Sequence, residues 1–152
     1  MWYTLSDQTE ESFERLDSQR NQQNSRADVR QTAFLGDAVC HLFVREHLVR
    51  EDVKKGLTRQ AILHVSASAQ SSAVKALMPM FNEEEYGIYR WGRNSHAGVV
   101  PKNTDPAVYC DATGWETLIG WLYLSNRRER MNELLGAAYE KRCEELNNRG
   151  RE

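Results

Sequence analysis

The chain has 152 residues, 40% hydrophobic and 28% charged, with a formal net charge of −2. That suits one globular domain with a sizeable core and excludes a disordered chain. No apolar run approaches the roughly 18 residues that span a bilayer. Residues 1–5 lack the basic and apolar parts of a signal peptide. A cytoplasmic protein is expected, an organellar one staying open if a targeting segment was removed.

Cys40, Cys110 and Cys143 form no CxxC pair, so neither structural zinc nor a disulfide framework is indicated. Packed, reduced thiols are expected. The slightly acidic balance argues mildly against nucleic-acid binding. Its distribution qualifies that: between Tyr89 and Asp105 the charges are Arg90, Arg93 and Lys102, with Asp105 the only acid. A local basic site on an acidic protein is consistent with this.

Taken in order, residues 1–25 are polar, with Gln and Asn clustered at 19–24, and read as an arm or short helix. Residues 26–148 read as one catalytic-size domain. A helix is expected over 28–50, apolar nearly all round and therefore in the core. Gly56 marks a turn. A second helix is expected over 57–78, ended by Pro79. Asn82 is a candidate N-cap, with Glu83, Glu84 and Glu85 in the first turn that follows. Residues 92–106 hold two Gly, two Pro and two Asn and read as a long functional loop. Helices over 107–124 and 127–146 complete the chain. No segment alternates like a strand, so the fold class is all-α.

Two stretches place one acid inside an apolar helical run: Phe34-Leu35-Gly36-Asp37-Ala38-Val39 and Gly114-Trp115-Glu116-Thr117-Leu118-Ile119-Gly120. An acid in that setting is costly unless its charge is compensated. A shared divalent cation would do so and make the pair a hydrolytic centre. Asp37 shares its face with Ala33 and His41, and Glu116 with Ala112 and Gly120, small residues that let two helices approach. Each acid capping a loop or pairing with an arginine is the plainer alternative. His64, among apolar neighbours, reads as a packed histidine. The apolar excess of the first helix, with Trp115 and Trp121, is a candidate interface, and Trp91, beside the basic loop, is open between a packed residue and a base-stacking platform.

The first acidic stretch resembles the signature helix of the ribonuclease III catalytic domain. The ordered set Tyr89-Arg90-Trp91-Gly92-Arg93-Asn94, Pro101-Lys102-Asn103-Thr104-Asp105 and Trp115 to Gly120 resembles its minimal branch, Mini-ribonuclease III, as does Val65-Ser66-Ala67-Ser68-Ala69-Gln70. The resemblance implies a ribonuclease III-like helical bundle and a homodimeric, Mg²⁺-dependent endonuclease of double-stranded RNA acting in large-subunit ribosomal RNA maturation. It implies Asp37 and Glu116 as catalytic and metal-binding residues. It also implies RNA contact through Arg90, Arg93, Asn94, Lys102 and Asn103. The branch lacks a separate double-stranded-RNA-binding domain.

The sequence departs from ribonuclease III proper. Glutamates four and seven residues before the signature aspartate are replaced by Ala33 and Arg30. An aspartate three before the catalytic glutamate is replaced by Thr113. The minimal branch shares this thinning, which leaves a less anionic site. Ser68 and Ser95-His96-Ala97 replace more basic positions of the branch and reduce the expected phosphate contacts. The competing function is a non-catalytic ribonuclease-III-like subunit that binds RNA or docks in an assembly. Retention of both Asp37 and Glu116 favours the enzyme.

Overall fold

The computed structural model describes Arg15 and residues 27–95 and 99–150. The N-terminal arm expected over 1–25, Arg15 apart, and residues 96–98 lie outside the described residues. The elements are α1 (Val29–Arg50), α2 (Leu57–Val65), α3 (Ala67–Leu77), a 3₁₀ turn (Met78–Met80), α4 (Glu83–Arg93), α5 (Pro106–Leu124) and α6 (Arg128–Arg149). No strand occurs among the described residues, so the all-α reading holds.

Local chemistry sets the helix starts. At α1, Gln31 N donates to Asp28 Oδ1 at 2.9 Å while Asp28 N donates to Gln31 Oε1 at 3.0 Å, a reciprocal cap that satisfies two orphan donors. At α4 the same box joins Asn82 and Glu85. Glu85 is almost wholly buried, and Arg130 grips it with Nε at 2.8 Å and Nη2 at 3.0 Å, tying α4 to α6. The α5 helix opens on Asp105, whose carboxylate accepts from Ala107 N at 2.8 Å, with Pro106 in its first turn.

The hub of the bundle is α5, which packs against α1, α3, α4 and α6. It is apolar on every face, so burial rather than amphipathicity holds it in place. Leu118, Ile119 and Leu122 on α5, Val74 on α3 and Leu134 on α6 are fully buried.

Glycines set the closest approaches. A Cβ on Gly36 would lie 1.7 Å from the Glu116 carbonyl oxygen, and one on Gly120 would lie 2.0 Å from the Thr32 carbonyl oxygen. The α1 and α5 backbones therefore touch directly, at a separation that any side chain would forbid. On the opposite side, Gly92 of α4 admits the Thr117 side chain, and Gly114 of α5 admits the Tyr89 ring.

Three expectations change. The helix expected over 57–78 is two helices, because Ser66 adopts an extended conformation (φ −60°, ψ 152°) and caps α3 by accepting from Ala69 N. The continuous Ala-rich periodicity conceals this break. The signature helix is not buried all round: Phe34 is 80% exposed, Leu42 67% and Val49 70%. Trp115 is no interface residue in this fold: it is 2% exposed and belongs to the main core.

Candidate active site

The Gly36–Glu116 backbone contact puts the next residue of α1, Asp37, beside the Glu116 side chain. Asp37 is half exposed, and His41, one turn on, stands 3.4 Å from its Oδ1. Glu116 is largely enclosed. Burial pushes its pKa up to about 8, and the neighbouring Asp37 charge adds to the rise; an interaction with the Gln70 side chain acts the other way. Among the described residues, no lysine or arginine pairs with either acid within 4.0 Å. Two acidic groups are thus held together with nothing cationic but a histidine within that distance, an arrangement that resists charge on Glu116.

Both groups are hard oxygen donors, which suit Mg²⁺, Mn²⁺ or Ca²⁺. No cluster of three or more His, Cys, Asp or Glu with metal-binding geometry occurs among the described residues. A cation here would have two protein carboxylates and would draw its remaining oxygens from water and phosphate, as Mg²⁺ commonly does.

The same criterion that selects Asp37 and Glu116 also selects an acid that the sequence reading passed over. Asp111 lies five residues before Glu116 in the same apolar helix and is 4% exposed. It accepts from Ser71 Oγ at 2.9 Å, Tyr89 OH at 2.9 Å and Arg93 Nε at 2.9 Å, with Lys75 Nζ at 3.7 Å. Burial pushes its pKa up, but the bonds from Arg93, Tyr89 and Ser71 outweigh that and hold it below the usual carboxylate range. Asp111 is a satisfied anchor, not an open ligand.

The candidate RNA residues fall into two groups. Arg90, Arg93 and Asn94 line an open concavity with Met78, Tyr86 and Tyr89 at the end of α4. Arg93 faces two ways, since its Nε is committed to Asp111 while its side chain stays 41% exposed. Arg90 is exposed, with its guanidinium 5.9 Å from the Tyr86 ring centre. Lys102 and Asn103 are exposed in the loop beyond, where Asn103 takes a left-handed conformation (φ 66°) that asparagine tolerates. Trp91 is 43% exposed beside them. His64 stacks on Tyr139 at 4.4 Å between centroids, the packed position expected of it.

The sequence of this bundle places the chain in the ribonuclease III class. The Ribonuclease III domain family matches residues 30–127, a span that holds both acids and the basic loop. The chain is 43% identical to Mini-ribonuclease 3 of Symbiobacterium thermophilum over 108 residues, 70% of this chain and 83% of that protein. It is 42% identical to Mini-ribonuclease 3 of Brevibacillus brevis over 109 residues, 70% of this chain and 81% of that protein. A crystal structure of a Fusobacterium nucleatum protein superposes with a TM-score of 0.69, covering 76% of this chain and 93% of that one at 24% identity, a likeness of fold. The chain belongs to the Mini-ribonuclease 3 family and is an endoribonuclease of the ribonuclease III type.

Proposed function

We propose that the protein cleaves double-stranded RNA with Mg²⁺ at Asp37 and Glu116, as a homodimer, in the maturation of large-subunit ribosomal RNA in the cytoplasm. The observation that carries the reading is the acid pair pressed together with no lysine or arginine partner among the described residues. A divalent cation bound there supplies an activated water and neutralises charge on the scissile phosphate. Asp37 offers an accessible carboxylate and Glu116 an enclosed one, so one is open to solvent and substrate while the other is held by the bundle.

Duplex RNA hides its base edges in a deep groove and is bound chiefly through its backbone. Arg90, Arg93, Asn94, Lys102 and Asn103 supply donors for phosphates at the α4 end and in the loop. The α1 face of Phe34, Leu42 and Val49, with Ile62 of α2 at 53% exposure, supports pairing with a second copy. Two sites related by a two-fold axis would then cut the two strands. Family membership supports the ribosomal RNA role. Among the described residues no helix is long and apolar enough to cross a membrane.

The test is incubation of the purified protein with a long RNA duplex and with the corresponding single strand, each with and without Mg²⁺. Duplex-selective cleavage only with Mg²⁺ is expected. Duplex binding without cleavage under any divalent cation would instead indicate the non-catalytic assembly subunit.

A further inference from the structure

Gln70 sits on the second turn of α3, in the Ala-Gln step that follows the Ser66 break. It is 3% exposed, yet its Nε2 has no hydrogen bond of ordinary geometry; only His64 Nδ1 shares that condition among the described buried side-chain atoms. Leaving a buried amide donor unpaired is costly, and structures rarely keep one without a use. The space around it is a small, partly enclosed cavity whose lining includes Cys40, His64, Gln70, Tyr139, Arg142 and Trp115, the residue preceding Glu116. Arg142 is a donor already engaged by Leu63 O and Glu145, and His64 Nδ1 is itself unpaired, so neither takes the Gln70 proton. The acidic group whose side chain Gln70 does interact with is Glu116.

Resting on the acid-pair reading above, we propose that Gln70 is a positioning residue, its amide N–H donating to Glu116 from the α3 side and aiming that carboxylate at the cation shared with Asp37. A neutral donor suits the task. A lysine at this position would neutralise Glu116 and compete with the cation, whereas an apolar residue would leave the carboxylate free to turn. Side chains that orient a metal-binding carboxylate from behind typically account for about tenfold or more in metal affinity.

The comparison is between wild type, Gln70→Met, which keeps the length and loses the donor, and Val74→Ala, which opens the core one turn further along α3, where Val74 is fully buried. Calorimetric titration with Mg²⁺ is expected to give about tenfold weaker binding for Gln70→Met. Duplex affinity in metal-free buffer should stay unchanged while kcat falls. Its melting temperature should hold, because methionine fills about the same volume and no hydrogen bond of ordinary geometry is lost. Val74→Ala should melt lower with Mg²⁺ affinity intact. In metal-free protein, ¹³C relaxation of the Glu116 side-chain methylene should report one fixed rotamer in wild type and a mobile one in Gln70→Met. Unchanged Mg²⁺ affinity and unchanged Glu116 order in Gln70→Met would overturn the assignment while leaving the acid pair standing. A wild-type protein that fails to cleave would sink the broader reading instead, and the metal-free relaxation comparison would still decide the role of Gln70.

Discussion

Asp111 and Glu116 stand five residues apart on one helix, both carboxylates in an apolar setting, and the fold treats them in opposite ways. Asp111 is met by two hydroxyls and a guanidinium within 2.9 Å, and its charge is stabilised. Glu116 is met by another carboxylate, and its charge is resisted. A buried acid that the protein has fully satisfied holds elements together, here α3, α4 and α5. An enclosed acid set against another carboxylate, with no guanidinium or ammonium to offset it among the described residues, carries a charge that a cation would stabilise. The difference lies not in burial but in how many donors the neighbouring helices present.

The sharpest way to break this comparison is to neutralise each acid in turn. Asp37→Asn and Glu116→Gln should abolish duplex cleavage, by several orders of magnitude, while circular dichroism and melting report an intact fold. Full activity in either variant ends the assignment. Asp111→Ala should do the reverse. Truncating one partner of a buried ion pair strands the others, at about 3 kcal/mol. Its melting temperature should therefore fall by about 10 °C in a chain of this size. A stable Asp111→Ala variant would show that the cluster is not an anchor.

Arg93 tests the boundary between the two regions. Arg93→Ala should lower both stability and RNA affinity, because its Nε serves Asp111. Arg90→Ala and Lys102→Ala should leave melting unchanged. Each should weaken duplex binding similarly across sequences and reduce the salt slope by about one. If filter binding shows the same slope for all three variants and wild type, phosphate contact moves elsewhere, with Lys54, Lys55 and Arg59 the next candidates.

The smallest effect is on stability against pH. The Glu116 pKa is raised on folding, so the unfolded chain gives up this proton at lower pH than the folded one. As pH rises from about 4.5 to about 8, that group progressively destabilises the metal-free fold. Glu116→Gln should therefore melt a few degrees higher than wild type at pH 8 and no higher at pH 4.5. For Asp111 the pKa is lowered on folding, so its contribution is present at neutral pH and is lost only as pH falls below the ordinary aspartate range. An equal gain for Glu116→Gln at both pH values would contradict the burial argument.

Much of this was legible before any coordinates. The acids in apolar runs, the Asn82 cap and the helices around Asp37 and Glu116 follow from residue pattern, because each is a local matter of capping and periodicity. Ser66 was not legible, since a serine inside an Ala-rich stretch fits a helix interior and a cap equally well until its φ and ψ are known. Asp111 and Gln70 were missed for a shared reason. What distinguishes them is the set of donors and acceptors on other helices, and sequence spacing within one helix says nothing of that. The exposed face of α1 was legible only as an apolar excess that could serve core or interface, because an all-apolar helix reads the same whether its cover is the same chain or another.

The glycine crossing has a consequence in time. Gly36 and Gly120 touch across about 80 residues of intervening chain, and closing so long a loop must precede any meeting of Asp37 with Glu116. During synthesis from the N-terminus, the first acid emerges long before the second. A growing chain therefore carries a complete α1 with no partner for its glycine face, and Asp37 and Glu116 come together in one step, once α5 has left the ribosome and docked.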